Sequence, residues 1–389
     1  MRKSEDRILV THVGSLPRGD ALNDLLIRSE LGEGVDRGAL DSAIEGRVAH
    51  VFKQQLDAGI DIANDGEQGR VGFQTYVADR MSGFGGESNR RRPREFSDFP
   101  MFADMLMKRF PRRGKQFNAP QAVADVLYED LSAINREVAL LQATAKAAGV
   151  SFSDCFMTAP SPGIIASTLL NAYYPTHEDY VLALAKQMRN EYLAIHRGGF
   201  ILQIDAPDLA MDRHIIFQDK SESEFVAICE TLVAAINTAI EGIPREQVRL
   251  HCCWGNWEGP HTHDIALASL LPALTKANVG ALSIEFGNPR HQHEYEALRR
   301  CKLPAGMMLI PGVIDTTTNF VEHPELVARR IEEAVTAVGD RERVIAGTDC
   351  GFGTFAGREW VAEDVVWAKL RSAREGADIA SRRLWGRRG

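Results

Sequence analysis

The chain has 389 residues, 44% apolar and 25% charged, the proportions of an ordinary globular protein large enough for two domains or one barrel. A net charge of −8 argues against general nucleic-acid binding, and no apolar run approaches the roughly 18–20 residues of a membrane span. The six cysteines (155, 229, 252, 253, 301 and 350) are scattered, which reads as buried thiols and ligands and not as a disulfide framework.

The N-terminus, Met1-Arg-Lys-Ser-Glu-Asp6, lacks an apolar signal core, so a cytoplasmic location is expected. Ile8–Val13 is the first strand candidate and ends in Gly14-Ser-Leu-Pro17. A helix is expected over 37–58, then a short strand, Asp61–Asp65, ending in Gly66-Glu67. Further helices are expected over 122–148, 179–195, 223–240 and 264–276. Strands are expected over 152–157, 199–205, 248–253, 280–285 and 307–313. Pro324 opens another helix, with Val327, Ile331, Ala334 and Val338 along one face. The last strand is expected over 343–350, and a helix over 362–375.

Eight short strands alternating with helices predict an α/β fold with a parallel sheet, and in one chain of this length a (β/α)8 TIM barrel. The alternative is a doubly wound open sheet, but no Gly-x-Gly-x-x-Gly follows a strand. The whole of 1–389 is expected to form one domain, with 81–121 as an insertion after the second strand. That stretch is too long for an ordinary loop and is rich in arginine: Asn89-Arg-Arg-Arg-Pro-Arg94 and Lys108-Arg-Phe-Pro-Arg-Arg-Gly-Lys115. It reads either as a solvated basic loop or as a lid that attracts an anionic substrate or a second subunit.

Barrel chemistry sits at the C-terminal ends of strands. His12, Ser15, Glu67, Asp205, His251, Cys253, Glu285, Asp315 and Cys350 all fall there. His251 and Cys253 are two apart, so they project from the same face of a strand. With Glu285 and Cys350 they make a candidate zinc ligand set. Singly, each has a bland reading: a core histidine, a buried acid paired with Arg290, a small buried thiol. Together, two thiolates and a carboxylate make an electron-rich site. Such a metal is a poor Lewis acid but suits alkylation of a bound thiol.

Thr11-His-Val-Gly-Ser-Leu-Pro-Arg18, Asp65-Gly-Glu67, Gln203-Ile-Asp205, His251-x-Cys253, Ser283-Ile-Glu285, Pro311-Gly-Val-Ile-Asp315 and Asp349-Cys-Gly351 occur in that order. They resemble the C-terminal catalytic barrel of the cobalamin-independent methionine synthase family, whose short relatives include epoxyalkane:coenzyme M transferases. The resemblance spans residues 8–360. It implies Zn²⁺ on His251, Cys253, Glu285 and Cys350, and an amino-acid thiol held by Val13, Ser15 and Glu67. It also implies a folate contact at Asp205. His12 is added as a substrate contact, and Asp205 and Asp315 as the proton donors.

Two positions depart from the family. Met211 replaces a second folate-contacting acid, and Thr317 a histidine implicated as proton donor. Both lie on the donor side, so folate is expected to be a slow donor at best. The leading expectation is a zinc-dependent methyltransferase acting on a small thiol such as homocysteine. Its partners would be the thiol and an alkyl donor, with no nucleic acid, no membrane and a homo-oligomer as an open option. The alternatives are epoxide opening by coenzyme M, a metal-free decarboxylase, and a catalytically silent zinc-binding barrel.

Overall fold

The computed structural model describes residues 1–110 and 118–386. Its strands are β1 (Leu9–Val10), β2 (Ser82–Gly85), β3 (Gln121–Leu127), β4 (Phe156–Pro160), β5 (Ile201–Asp205), β6 (Val248–Cys252), β7 (Ala281–Ile284), β8 (Met308–Ile314) and β9 (Ile345–Thr348). Seven of them form one parallel sheet in the order β1-β9-β8-β7-β6-β5-β4. The sheet curls, and the gap between β1 and β4 is spanned by the segment expected as the second strand. Asp61 N and Ile62 N donate to Val10 O (2.9 and 3.3 Å), and Ala63 bridges Cys155 in parallel. The barrel expected from the sequence is thus present, with its second position reduced to a bridge.

Alternation along the strands separates two apolar layers. Leu9, Ile62, Phe156, Ile201, Ala281, Met308, Ile310 and Ile345 pack together inside the ring. Their neighbours, among them Val10, Met157, Leu202, Leu250, Leu282 and Leu309, pack outward with the helices. β6 adds no apolar side chain to the inner cluster. Arg249 stands in register with Gln203 and Ala281 and is fully buried.

The helices start where local chemistry satisfies their free N–H groups. Asp36 accepts from Ala39 N (2.7 Å) at the start of Arg37–Asp57. Ser221 and Glu224 form a capping box at Glu222–Ala239, and Pro324 opens Pro324–Val338, which Gly339 closes in a left-handed conformation. No helix among the described residues is long and apolar enough to cross a membrane.

Three expectations are corrected. Residues 121–127 form β3, antiparallel to β2, and the expected helix occupies only Ser132–Ala147. Asp130 Oδ1 accepts from Ser132 N (2.8 Å) and sets that later start. The helix expected over 264–276 covers only Leu267–Leu274, because Asp264 is held elsewhere by Arg290 and His291. The strand expected over 152–157 begins as a 3₁₀ turn, Phe152–Asp154, and becomes β4 only at Phe156. Among the described residues between β2 and β3 lie two helices, Glu95–Asp98 and Pro100–Arg109. The second basic run of this segment lies outside the described residues from 111 onward.

Asp208, after β5, is fully buried and accepts from Ser161 Oγ (2.5 Å), the residue that also caps Pro162–Thr168. Burial, then the charge of Asp212, pushes its carboxyl up to about 8 from 3.8. Between those values the folded chain keeps a proton that the unfolded chain has lost, so this residue lowers stability as pH rises, by at most about 1.4 kcal/mol per pH unit. Asp208→Asn should therefore become more stable relative to wild type between about pH 5 and about pH 8, measured by urea unfolding. Parallel pH profiles for the two proteins would contradict a proton on Asp208.

Candidate active site and metal centre

A cavity of about 1060 Å³, mouth included, opens at the C-terminal ends of the barrel strands. Val13, Ser15, Glu67, Asp205, His251, Cys253 and Cys350 all line it. His251 is the second-last residue of β6, Cys253 follows that strand, Glu285 follows β7 and Cys350 lies just past β9. One ligand atom each from His251, Cys253 and Cys350 lies within 4.8 Å of the others. Glu285 Oε1 stands 3.8 Å from Cys350 Sγ.

The chemistry of these donors can be compared with what zinc takes. His251 is buried, its ring is hydrogen-bonded to the Ser283 backbone, and Nδ1 has no partner. Burial, with a smaller push from the Arg249 charge, lowers it to about 3, so the imidazole is neutral as a ligand must be. Burial pushes the Cys350 thiol well up, and Cys253 and Glu285 add to that. A divalent cation is the charge that would relieve two thiols and a carboxylate gathered without one. The residues are of the kinds that hold zinc.

The surrounding loops hold the donors in place. Trp254 N donates to Glu285 Oε1 (2.8 Å), while Asn288 Nδ2 and Arg290 Nη2 donate to Oε2 (2.8 and 3.1 Å). Asp349, beside Cys350, accepts from Phe286 N (3.0 Å), Gly287 N (2.7 Å) and Asn288 Nδ2 (3.0 Å). The loops carrying Glu285 and Cys350 are thereby tied to each other.

On the opposite wall Glu67 has a left-handed backbone, φ 54°, an unfavourable conformation for a side chain of its kind. Its Oε1 accepts from Thr158 Oγ1 (2.8 Å), whereas the buried Oε2 has no partner. Burial raises its carboxyl, against the opposing charges of Arg70 and Arg18. Gly14, at φ 146°, passes so close that a Cβ there would stand 2.9 Å from Glu67 Oε1. Asp205 is pushed well above the usual carboxylate range by burial and then by the Glu67 charge. Gln203 Nε2 donates to Asp205 Oδ1 (2.7 Å) and to Val13 O, and Gln203 Oε1 accepts from Arg249 Nε (2.6 Å).

Three expected residues do not line the cavity: Glu285, which stands beside Cys350, and His12 and Asp315. The His12 ring is turned to Gln55 Oε1 (2.8 Å) and edge-on to Phe156. Asp315 accepts from Thr317 N, Thr317 Oγ1 and Thr318 Oγ1 at 2.7–2.9 Å, which shapes the loop after β8. Met211 does line the cavity, as do Arg90, Arg91, Pro93, Phe96 and Leu106 of the segment between β2 and β3. Arg90 is paired with Asp212 (3.5 Å) and Arg91 with Asp219 (2.8 Å).

Sequence reasoning passed over Gln203, Arg249, Asn288 and Asp349 as working parts. The signal for two of them was there: Arg249 and Gln203 each precede an inward-facing polar residue by two positions. Asn288 offers no such pattern.

A parallel barrel with thiols, imidazole and carboxylates gathered at its C-terminal mouth is a metal-ligand architecture on an enzyme scaffold. The chain belongs to the cobalamin-independent synthase catalytic-domain family, whose model matches residues 118–377. Similar sequences include the methionine synthase of Saccharolobus solfataricus, 24% identical over 380 residues, covering 96% of this chain and 95% of that protein. The methionine synthase of Saccharolobus islandicus is 25% identical over 384 residues, with 96% and 95% covered. The fold is also that of a B12-independent methionine synthase from Shewanella sp. W3-18-1 in complex with selenomethionine. That match has a TM-score of 0.72 and 22% identity and covers 98% and 99% of the two chains.

Cys252 lies between two cavity-facing positions, and its side chain sits in the apolar layer shared with the helices. Cys252→Ala should keep its full metal content by elemental analysis, while Cys253→Ala should lose most of it. The reverse result would mean that the strand presents its other face to the cavity.

Proposed function

We propose that this chain is a zinc-dependent methyltransferase that methylates the sulfur of homocysteine or a thiol of similar shape. The observation that carries the proposal is the convergence of His251, Cys253 and Cys350, with Glu285 beside them, on the wall of a cavity that Glu67 and Asp205 also line. Relatives named methionine synthase over nearly the whole chain support it. Zinc held by these residues would favour the deprotonated form of an added thiol and leave its sulfur electron-rich.

The chain's own groups supply the rest. Glu67 Oε2, buried and unpartnered, can accept a hydrogen bond from the ammonium of an amino-acid thiol. Asp205, whose carboxyl burial and then the Glu67 charge push well above the usual range, can act as an acid. As the carbon–sulfur bond forms and the donor's carbon–nitrogen bond breaks, the Asp205 proton passes to the departing amine. Asp315 is occupied by Thr317 and Thr318, so Asp205 takes the acid role alone. Met211 offers no polar contact to the donor, so methyltetrahydrofolate is expected to turn over more slowly than a donor with a better leaving group. Epoxide opening with coenzyme M is less favoured, because Arg90 and Arg91 are already paired with acids and not free for a sulfonate.

The test supplies zinc-loaded protein with homocysteine and with methyltetrahydrofolate or a methylsulfonium donor, in parallel with coenzyme M and a simple epoxide. Methylation of homocysteine that is lost on chelation and restored by zinc is the expected result. Full activity in metal-free protein, or turnover of the epoxide alone, would overturn the proposal. Asp205→Asn should lower kcat by about 10²–10⁴ with an amine leaving group and leave the sulfonium reaction, which needs no proton, nearly unchanged. In wild type the amine-donor rate should fall as pH rises through the elevated Asp205 pKa, because the acid form is then lost.

A further inference from the structure

Where the segment between β2 and β3 meets the barrel, a second set of donors is buried away from the cysteines. Glu95 comes from that segment, His214 from the stretch after β5, and Asp264 from the stretch after β6. One ligand atom of each lies within 4.8 Å of the other two. His214 Nδ1 stands 3.2 Å from Glu95 Oε1 and 3.6 Å from Asp264 Oδ1. Zinc bonds of about 2.0–2.1 Å to nitrogen and oxygen in a tetrahedron place neighbouring ligand atoms roughly 3.3–3.4 Å apart. The two measured edges bracket that spacing.

Direction separates this cluster from a set of ordinary ion pairs. Glu95 is wholly buried, yet among the described residues neither of its carboxylate oxygens has a well-aligned hydrogen-bond partner, although His214 Nδ1 is close. The imidazole and the carboxylate are 3.2 Å apart but not aligned for a hydrogen bond. A buried carboxylate whose one close neighbour is a poorly aligned imidazole is costly, and a cation among these three groups would offset that cost. Asp264 is already oriented from behind: Arg290 Nη1 and His291 Nε2 each lie 3.1 Å from Oδ2, and His261 Nδ1 lies 3.1 Å from Oδ1. His261 also carries a left-handed backbone, φ 49°, which it shares among the described non-glycine residues only with Glu67 of the substrate wall.

We propose that Glu95, His214 and Asp264 bind a second divalent cation of the zinc type, held by nitrogen and oxygen and without a cysteine. One imidazole and two carboxylates are three protein ligands, which leaves a fourth position for water. The ion fastens the β2–β3 segment to the barrel. Phe96 and Trp257, which line the cavity mouth next to these ligands, are fixed with it. Arg290 joins the two centres, since its Nη1 reaches Asp264 and its Nη2 reaches Glu285. The inference does not depend on what the cysteine centre binds.

The experiment is metal counting on the full chain after dialysis against micromolar free zinc. Wild type should hold two equivalents, Glu95→Gln and His214→Ala one each, Cys350→Ser one, and the Glu95→Gln/Cys350→Ser double variant none. A wild-type count of one that Cys350→Ser abolishes and Glu95→Gln leaves intact overturns this inference and spares the proposed function. A count of one that behaves the other way supports the second site and removes the cysteine centre. Cobalt loading of unmutated protein needs no variant to fold. Two phases are expected, one with thiolate-to-cobalt charge transfer and one showing only ligand-field bands. A single thiolate phase overturns the inference.

Discussion

A guanidinium without an ion-pair partner among the described residues stands at the centre of this barrel. Arg249 donates to Gln203 Oε1 (2.6 Å), Thr11 Oγ1 (3.1 Å) and His12 O (2.9 Å) and lies 3.6 Å above the Phe156 ring. None of these hydrogen bonds goes to a carboxylate. A buried charge held only by neutral dipoles and a π face is costly, and burial lowers the group to about 9. The charge nonetheless persists at neutral pH and acts on its surroundings. It adds to the burial that keeps His12 and His251 neutral, and it fixes Gln203, which in turn orients Asp205 and Val13 O. One inward residue of β6 thus adds to the burial that keeps a candidate ligand above it neutral and sets the direction of a candidate acid beside it.

Above that layer the two walls of the cavity are built by opposite means. The cysteine side is held by hydrogen bonds between loops, with Asp349 accepting three times from the turn that bears Glu285. The Glu67 side is held by close packing and cations. Arg70 donates to Thr158 O (2.8 Å), whose side chain donates to Glu67, and Arg18 donates to Glu67 O (3.0 Å). The first arrangement pre-orders donors for an ion. The second holds a strained backbone that leaves one carboxylate oxygen without a partner inside the cavity.

The barrel could be read from the sequence because each strand is a short apolar run ending in a polar residue, and that regularity comes from the fold itself. His251 and Cys253 were legible for the same reason: strand period puts them on one face. Position 61–63 looked like the other strands, but only Ala63 makes a ladder bridge there, which no local pattern reveals. Residues 121–127 carry a helix-like pattern that tertiary pairing with β2 overrides. His12 and Asp315 lie at strand ends as expected. Which way each side chain turns depends on Gln55 and on the threonines of the β8 loop, and strand register does not encode that. The Glu95, His214 and Asp264 cluster was invisible for a different reason: its members come from three separated loops, so only the closed fold brings them together.

The first strand of the ring pairs with the last, Leu9 opposite Ile345. Just above that pairing Phe352 N donates to Ser15 O (2.8 Å), and Gly351 lies so close to Ser15 that a Cβ would come within 2.1 Å of its Oγ. Asp61, at the bridge, joins the same place: it accepts from Val10 N, Arg7 and Arg374, the last from the closing helix. Contacts of such wide sequence separation form late, since the intervening chain must be ordered first. During synthesis on the ribosome the earlier strands can pair as they emerge, but the residues around Ser15 wait, uncovered, until β9 and the turn after it have been made. The cavity therefore closes only when β9 has paired with β1, and a nascent chain that has not yet reached β9 presents an open seam where the folded protein presents a site.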